Sequence, residues 1–230
     1  GYGIYGWRQV PIDTSCIGEK ANATRPEIEQ ILIRNLPGKT EEAFERDLYV
    51  IRRRIEKAAI AAQVDLYICS LSCRSLIYKG MFLAEHLTEF YPDLLDERFV
   101  SRFAIYHQRY STNTFPTWKL AQPFRRLAHN GEINTISGNI NWMKSHETRL
   151  SHPDLDPWMA DIKPLVQAGG SDTATLDNVF ELLTFAGRDA PAAKALMIPA
   201  SVGGNAAMKP EHRDMFTYCN AVMEPWDGPA

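Results

Sequence analysis

The chain has 230 residues, of which 45% are hydrophobic and 23% charged, with 14 Gly and 14 Pro, so it can build one sizeable hydrophobic core. A formal charge of −3 gives no electrostatic footprint for nucleic acid or an anionic membrane surface, and no apolar run approaches the ~20 residues that span a bilayer. Four cysteines do not suggest a disulfide framework, and the N-terminal stretch lacks the basic and apolar regions of a signal peptide, so a cytoplasmic location is expected.

Residues 1 to 24 read as strand fragments and loop. Thr24 offers an N-cap for a short helix beginning at Arg25-Pro26, and Asn35 to Gly38 is a loop. Over 40–62 the apolar residues Phe44, Leu48, Ile51, Ile55, Ala58 and Ala62 step by four and three, which predicts a helix with that face inward. Arg52, Arg53, Glu56 and Lys57 then fall on the other face, where mixed charges read as solvated. Val64–Ser70 and Ser75–Lys79 are short, rich in β-branched and aromatic residues, and predict a hairpin. A helix near 81–90 follows, then strands over 99–110 and 124–129, then helices near 134–149, 173–187, 191–197 and 211–223. Strands in the middle with helices before and after predict an α+β layered domain, and no linker or repeat divides the chain.

Three segments concentrate polar groups at predicted strand or helix ends: 107–114, 129–134 and 169–173. Their residue types suit a small zwitterionic amide. Arg109 can hold a carboxylate through two parallel hydrogen bonds. Asp172 can accept from an ammonium, and Asn130 with the unhindered N–H of Gly131 can form an oxyanion hole. Taken singly, Asn-Gly is a common turn, Gly-Gly-Ser-Asp an ordinary helix start and a strand-end Arg a surface ion pair. The combination is what makes the pattern specific.

In that order, Arg-Tyr-Ser-Thr-Asn-Thr (109–114), His-Asn-Gly-Glu-Ile-Asn-Thr (129–135) and Gly-Ser-Asp-Thr (170–173) resemble the glutamine-binding motifs of class II glutamine amidotransferases, which are N-terminal-nucleophile hydrolases. Tyr67–Ser72, Ile77–Met81, Phe90–Leu94, Arg109–Trp118 and Gly138–Met143 narrow the resemblance to the glutamate synthases, essentially from end to end. The resemblance implies a four-layer α/β/β/α sandwich, here incomplete, with residues 1–230 an internal part of a single amidotransferase domain. It implies that Arg109, helped by Thr112, binds the α-carboxylate of L-glutamine, that Asp172 binds its α-ammonium, and that Asn130 and Gly131 form the oxyanion hole. The loop from Asn113 to Pro123, with Phe115 and Trp118, resembles the lid that closes over glutamine.

The family's nucleophile is a cysteine at the mature N-terminus, whose own α-amine, with a pKa of roughly 7.7–8.0, acts as base. Residue 1 here is Gly, and Cys16, Cys69, Cys73 and Cys219 carry no free amine, so the piece alone is expected to be inactive. Cys69 and Cys73 lack a second ligand pair and the six histidines are scattered, so no metal site is expected. The resemblance further implies FMN and an iron–sulfur cluster in the rest of the parent enzyme, none on this domain. Its implied partners are the synthase domains of the same polypeptide, with room for a small electron-donating subunit. The pocket segments alone leave open another class II amidotransferase, making an amino sugar, asparagine or a phosphoribosylamine, and a glutamine-binding module without catalysis. The 40–62 helix and the Tyr78–Met81 segment favour glutamate synthase.

Overall fold

The computed structural model describes residues 2–110, 115–203 and 207–228. At its N-terminal end β1 (Ile4–Gln9) runs antiparallel to β2 (Glu29–Ile33), with Trp7 opposite Ile31 and Arg8 opposite Gln30. Between them lies the short α1 (Glu19–Ala23), so Thr24 closes a helix and does not open one at Arg25. The Thr24 hydroxyl donates back to the carbonyls of Lys20 and Ala21, a local bond that ends the turn.

The long α2 (Glu41–Ala61) starts where its cap dictates: the Thr40 hydroxyl accepts from the Ala43 N–H at 3.3 Å, and Glu41 and Glu42 occupy the first turn. Its buried face, however, is not the predicted one. Phe44 and Leu48 are inside, but Ile55 is 37% exposed while Arg52, Arg53 and Glu56 are 1%, 4% and 7% exposed. The charged side expected to be solvated is therefore interior. Helical periodicity reports where apolar residues lie on the cylinder and says nothing of charges that find partners more than a hundred residues away.

After α2 come α3 (Leu87–Phe90), α4 (Ile136–Glu147), α5 (Met159–Ile162), α6 (Asp172–Phe185), α7 (Ala190–Met197) and α8 (Pro210–Val222). The helix expected over 81–90 is reduced to one 3-10 turn and α3, while α5 was not predicted. The larger core gathers Tyr49, Ile162, Leu176, Val179, Phe185, Met197 and Trp226 around α2 and α6. A smaller one joins Val10, Phe90, Tyr91 and Trp118 under the N-terminal sheet. No helix among the described residues is long and apolar enough to cross a membrane.

Among the described residues the only strand ladder is the β1–β2 pair. The expected hairpin of 64–79 and the strands over 99–110 and 124–129 form none; in 64–79 and 124–129 side chains take over backbone groups a ladder would use. The Ile77 N–H donates to the Ser70 hydroxyl at 3.4 Å, the Cys73 N–H to Glu45 at 2.5 Å, and the Arg125 guanidinium to the Ile68 carbonyl at 2.6 Å. In the 124–129 run, the N–H groups of Arg125 and Arg126 both donate to the Asp177 carboxylate. Backbone groups satisfied in this way need no neighbouring strand.

Candidate functional site

The third polar segment makes the start of α6. Gly169, at φ 77°, allows a left-handed turn, and the Ser171 hydroxyl accepts from the Ala174 N–H at 3.1 Å. Asp172 is thereby set in the first turn, where the helix dipole favours a carboxylate. One of its oxygens accepts the Thr173 N–H at 2.6 Å and the other accepts the Ile133 N–H at 3.0 Å. A carboxylate has about four lone-pair sites, so acceptor capacity is left for a further donor. The second and third segments, 39 residues apart between Ile133 and Asp172, are therefore joined directly.

The second segment itself carries Asn130, exposed, and Gly131, half-buried, directly after His129. The Gln122 side chain donates its amide to the His129 carbonyl at 2.8 Å and accepts the His129 N–H at 2.8 Å. On the far side, Thr135 and the buried Asn139 tie the start of α4 to residues 224–228: Asn139 Nδ2 donates to the Pro225 carbonyl at 3.0 Å, and the Asp227 N–H donates to Thr135 Oγ1 at 3.0 Å. Gly228 lies so close to this turn that a Cβ there would run into the Glu132 carbonyl.

Arg109 stands apart from this arrangement. It is exposed on the wall of an open groove that Lys79, Phe82, Arg102 and Tyr110 also line, and Asn130, Gly131 and Asp172 do not line that groove. Thr112 lies outside the described residues, as do the first two residues of the expected lid. Of the rest of that loop, Phe115 is 87% exposed, but Trp118 is buried against Phe90, with its indole N–H donating to the Ala21 carbonyl at 3.1 Å. Tyr110 pins the same loop, its hydroxyl accepting the Thr117 N–H at 2.7 Å.

Behind the Asn130–Gly131 loop lies a buried cluster of three guanidiniums and three carboxylates. Arg52 pairs with Glu56 at 2.7 Å and with Glu181, Arg53 pairs with Glu56 at 2.7 Å, and Arg125 pairs with Glu56 at 3.2 Å and Asp177 at 3.9 Å. Arg53 also donates to the Ile162 carbonyl at 3.0 Å and to the Pro164 carbonyl at 2.6 Å. The charges balance, as an interior of low polarisability requires. Burial acts to raise the Glu56 carboxyl, but Arg52, Arg125 and Arg53 overcome it and hold the group below its usual range. Asp177 differs: burial, with Glu181 beside it, pushes its carboxyl up to about 6.

Lys79 is buried with neutral partners. Its ammonium donates to the Tyr67 hydroxyl at 3.0 Å and to the carbonyls of Lys119 and Ala121 at 2.9 and 2.7 Å, and it sits 4.6 and 4.7 Å from the Tyr67 and Phe124 rings. Burial lowers its pKa to about 7. Burial and a hydrogen bond to Glu45 push the Cys73 thiol up to about 11, the reverse of an activated nucleophile. Among the described residues no three His, Cys, Asp or Glu side chains are grouped to hold a metal ion.

Sequence reasoning missed Gln122 and Asp177 at this site. Asp177 did carry a signal. It is a poor helix former in mid-helix, with a like charge four residues on at Glu181, a pattern that is unfavourable unless cations from elsewhere meet it.

The profile of the class-II glutamine amidotransferases matches residues 1–230. The large chain of the NADPH glutamate synthase of Azospirillum brasilense is 64% identical over 231 residues, covering 100% of this chain and 15% of that protein. The chloroplastic ferredoxin-dependent glutamate synthase of Oryza sativa subsp. japonica is 44% identical over 235 residues, and the NADPH glutamate synthase large chain of Bacillus subtilis 43% over 230, each again covering 100% of this chain and 15% of the relative. The chain thus spans about 15% of the length of these curated relatives. It belongs to the class-II glutamine amidotransferases.

Proposed function

We propose that this class-II glutamine amidotransferase chain is the substrate-holding part of the glutaminase domain of a glutamate synthase. The reaction is hydrolysis of L-glutamine to glutamate and ammonia, the ammonia being used to make glutamate from 2-oxoglutarate. The observation that carries this reading is the seating of the Asn130–Gly131 loop on the N-terminus of α6 through the Ile133–Asp172 bond. The bond ties the segment that carries Asn130 and Gly131, donors suited to a developing oxyanion, to a carboxylate suited to an ammonium, and so supports a site for the two ends of a glutamine molecule.

In this reading the attacking thiol is the family's N-terminal cysteine, which is not one of these residues. The thiol sulfur adds to the side-chain amide carbon, and the carbonyl electron pair moves onto oxygen, facing Asn130 Nδ2 and the Gly131 N–H. As that pair returns, the C–N bond breaks and ammonia leaves with the thiol's proton; water then cleaves the thioester to glutamate. Arg109 and Thr112 take the α-carboxylate and Asp172 the α-ammonium. Arg109 stands outside the Asp172 cluster, so this reading requires Arg109 to approach α6 when glutamine binds. The residues present fit neither FMN nor an iron–sulfur cluster, having no Gly-rich phosphate loop and no cysteine cluster, so both belong to the rest of the parent polypeptide. The synthase domains there are the partners, in a cytoplasmic enzyme. The four-layer sandwich is proposed for the complete domain. Its support is the 99–106 run, whose Val100, Phe103 and Tyr106 are 85%, 76% and 78% exposed and have the composition of covered strands.

Two substitutions in the full-length polypeptide test the assignment. Asn130→Ala lowers kcat by about 100- to 1000-fold, the loss typical of one oxyanion donor, with KM little changed. Arg109→Ala weakens glutamine binding strongly, because it leaves a carboxylate unpaired. Normal kcat in the first or unchanged glutamine affinity in the second sinks the corresponding role.

A further inference from the structure

The segment from Gln122 to Ile133 is held by contacts that bracket Asn130 and Gly131. On its N-terminal side the Arg125 and Arg126 N–H groups donate to the two oxygens of Asp177, at 3.2 and 2.8 Å. On its C-terminal side the Ile133 N–H donates to Asp172 at 3.0 Å. Both carboxylates stand on α6, and at a rise of ~1.5 Å per residue the helix separates them by roughly 7.5 Å along its axis. One rigid element therefore sets the distance between the two ends of the loop.

Gln122 supplies the third hold. Its amide makes two opposed bonds to His129, 2.8 Å each, directly before Asn130. This is the exchange of N–H and C=O by which one strand residue pairs with another across an antiparallel ladder, performed here by a side chain. The His129 ring takes no part in it, since its Nδ1 is buried without a partner. Asp177 is fully buried and faces Arg125 across 3.9 Å, so the carboxylate that holds the turn is itself fixed by the ion cluster.

We propose that Gln122 and Asp177 are positioning residues for the oxyanion loop: they hold Asn130 and Gly131 at the place where the amide oxygen becomes charged, without touching substrate. The proposal rests on the role given to Asn130 and Gly131 above. Oxyanion donors act only within a few tenths of an ångström of their target, and a displacement of about 1 Å costs on the order of 100-fold in rate. A hold on the loop therefore appears in kcat, whereas general damage to the pocket also raises KM.

The test is steady-state glutaminase kinetics of the full-length polypeptide carrying Gln122→Ala, Gln122→Glu, Asp177→Asn or, in parallel, Asn130→Ala. Gln122→Ala is expected to lower kcat about 10- to 100-fold with KM for glutamine within about threefold of the parent. Gln122→Glu keeps the acceptor for the His129 N–H and loses the donor, and is expected to fall between parent and Ala. Asp177→Asn should lower kcat in the same way. Because that site is buried, the half-buried Gln122 decides the question if the Asp177 variant does not fold. Unchanged kcat in Gln122→Ala, or a rate loss carried equally by KM, overturns the proposal. Asn130→Ala separates the two levels. If it lowers kcat and Gln122→Ala does not, the hold is wrong and the oxyanion reading stands; if Asn130→Ala leaves kcat intact, the oxyanion reading itself fails.

Discussion

Replacing Glu181 by Leu should destabilise the packing of α2 against α6 far more than losing a surface ion pair would. Arg52, 1% exposed, is held by Glu181 and by Glu56, and burial works against its charge while Glu181 and Glu56 keep it protonated. Removing Glu181 leaves three guanidiniums facing two carboxylates in the same buried cluster. At an effective dielectric near 20 and about 4 Å between charge centres, the lost attraction is ~4 kcal/mol. That agrees with the roughly 3–5 kcal/mol typical when one member of a buried pair is removed. The assay is native-state hydrogen exchange of the full-length polypeptide read by mass spectrometry, which isolates local opening where a global melt of a large chain is not two-state. Amides of Tyr49–Ala59 and Leu176–Phe185 should lose about two to four decades of protection, at ~1.4 kcal/mol per decade. The double variant Arg52→Met, Glu181→Leu should recover much of it, because a buried pair exchanged for apolar groups of similar size is often neutral. Parental protection in the single variant, or a double variant as damaged as the single, refutes the reasoning.

Lys79 should make stability rise with pH. Its folded pKa of about 7 lies below the ordinary 10.5, so between those values the unfolded chain holds a proton that the folded chain lacks, and folding gains as pH increases through that window. Pulse proteolysis in urea across it should show a more positive slope of stability with pH in the parent than in Lys79→Met; equal slopes in both would exclude Lys79 as the source. Gly228→Ala should displace the 132–134 turn, because the new methyl meets the Glu132 backbone, at a cost of about 1–3 kcal/mol. Faster amide exchange from Ile133 to Asn139 is the readout, and parental exchange there would show that the turn does not depend on the missing side chain.

The two capped helices show how far local chemistry carries. Helices were expected over 40–62 and near 173–187, and in the structure Thr40 and Ser171 open them, each accepting the N–H three residues on, at 3.3 and 3.1 Å. Such bonds span less than one turn, so their donors and acceptors can be read from adjacent letters. The three polar segments were legible for a related reason, since residue type and order within a short stretch state what each could bind. The strand-like runs over 64–79 and 124–129 show the limit. Their composition favours extended backbone, yet a ladder needs a partner, and here Glu45, Ser70, Asp177 and Gln122 supply the backbone's hydrogen bonds.

What the sequence determined by itself was therefore where α2 and α6 begin and which residue types the three polar segments offer. Tertiary structure alone decided which face of α2 is interior, that Asp172 meets Ile133, and that Asp177 and Gln122 hold the loop between them. The physical reason is range. A cap or an apolar stripe is settled within a turn or two of chain, whereas Arg52 can be buried only because Glu181, 129 residues later, arrives beside it with the opposite charge.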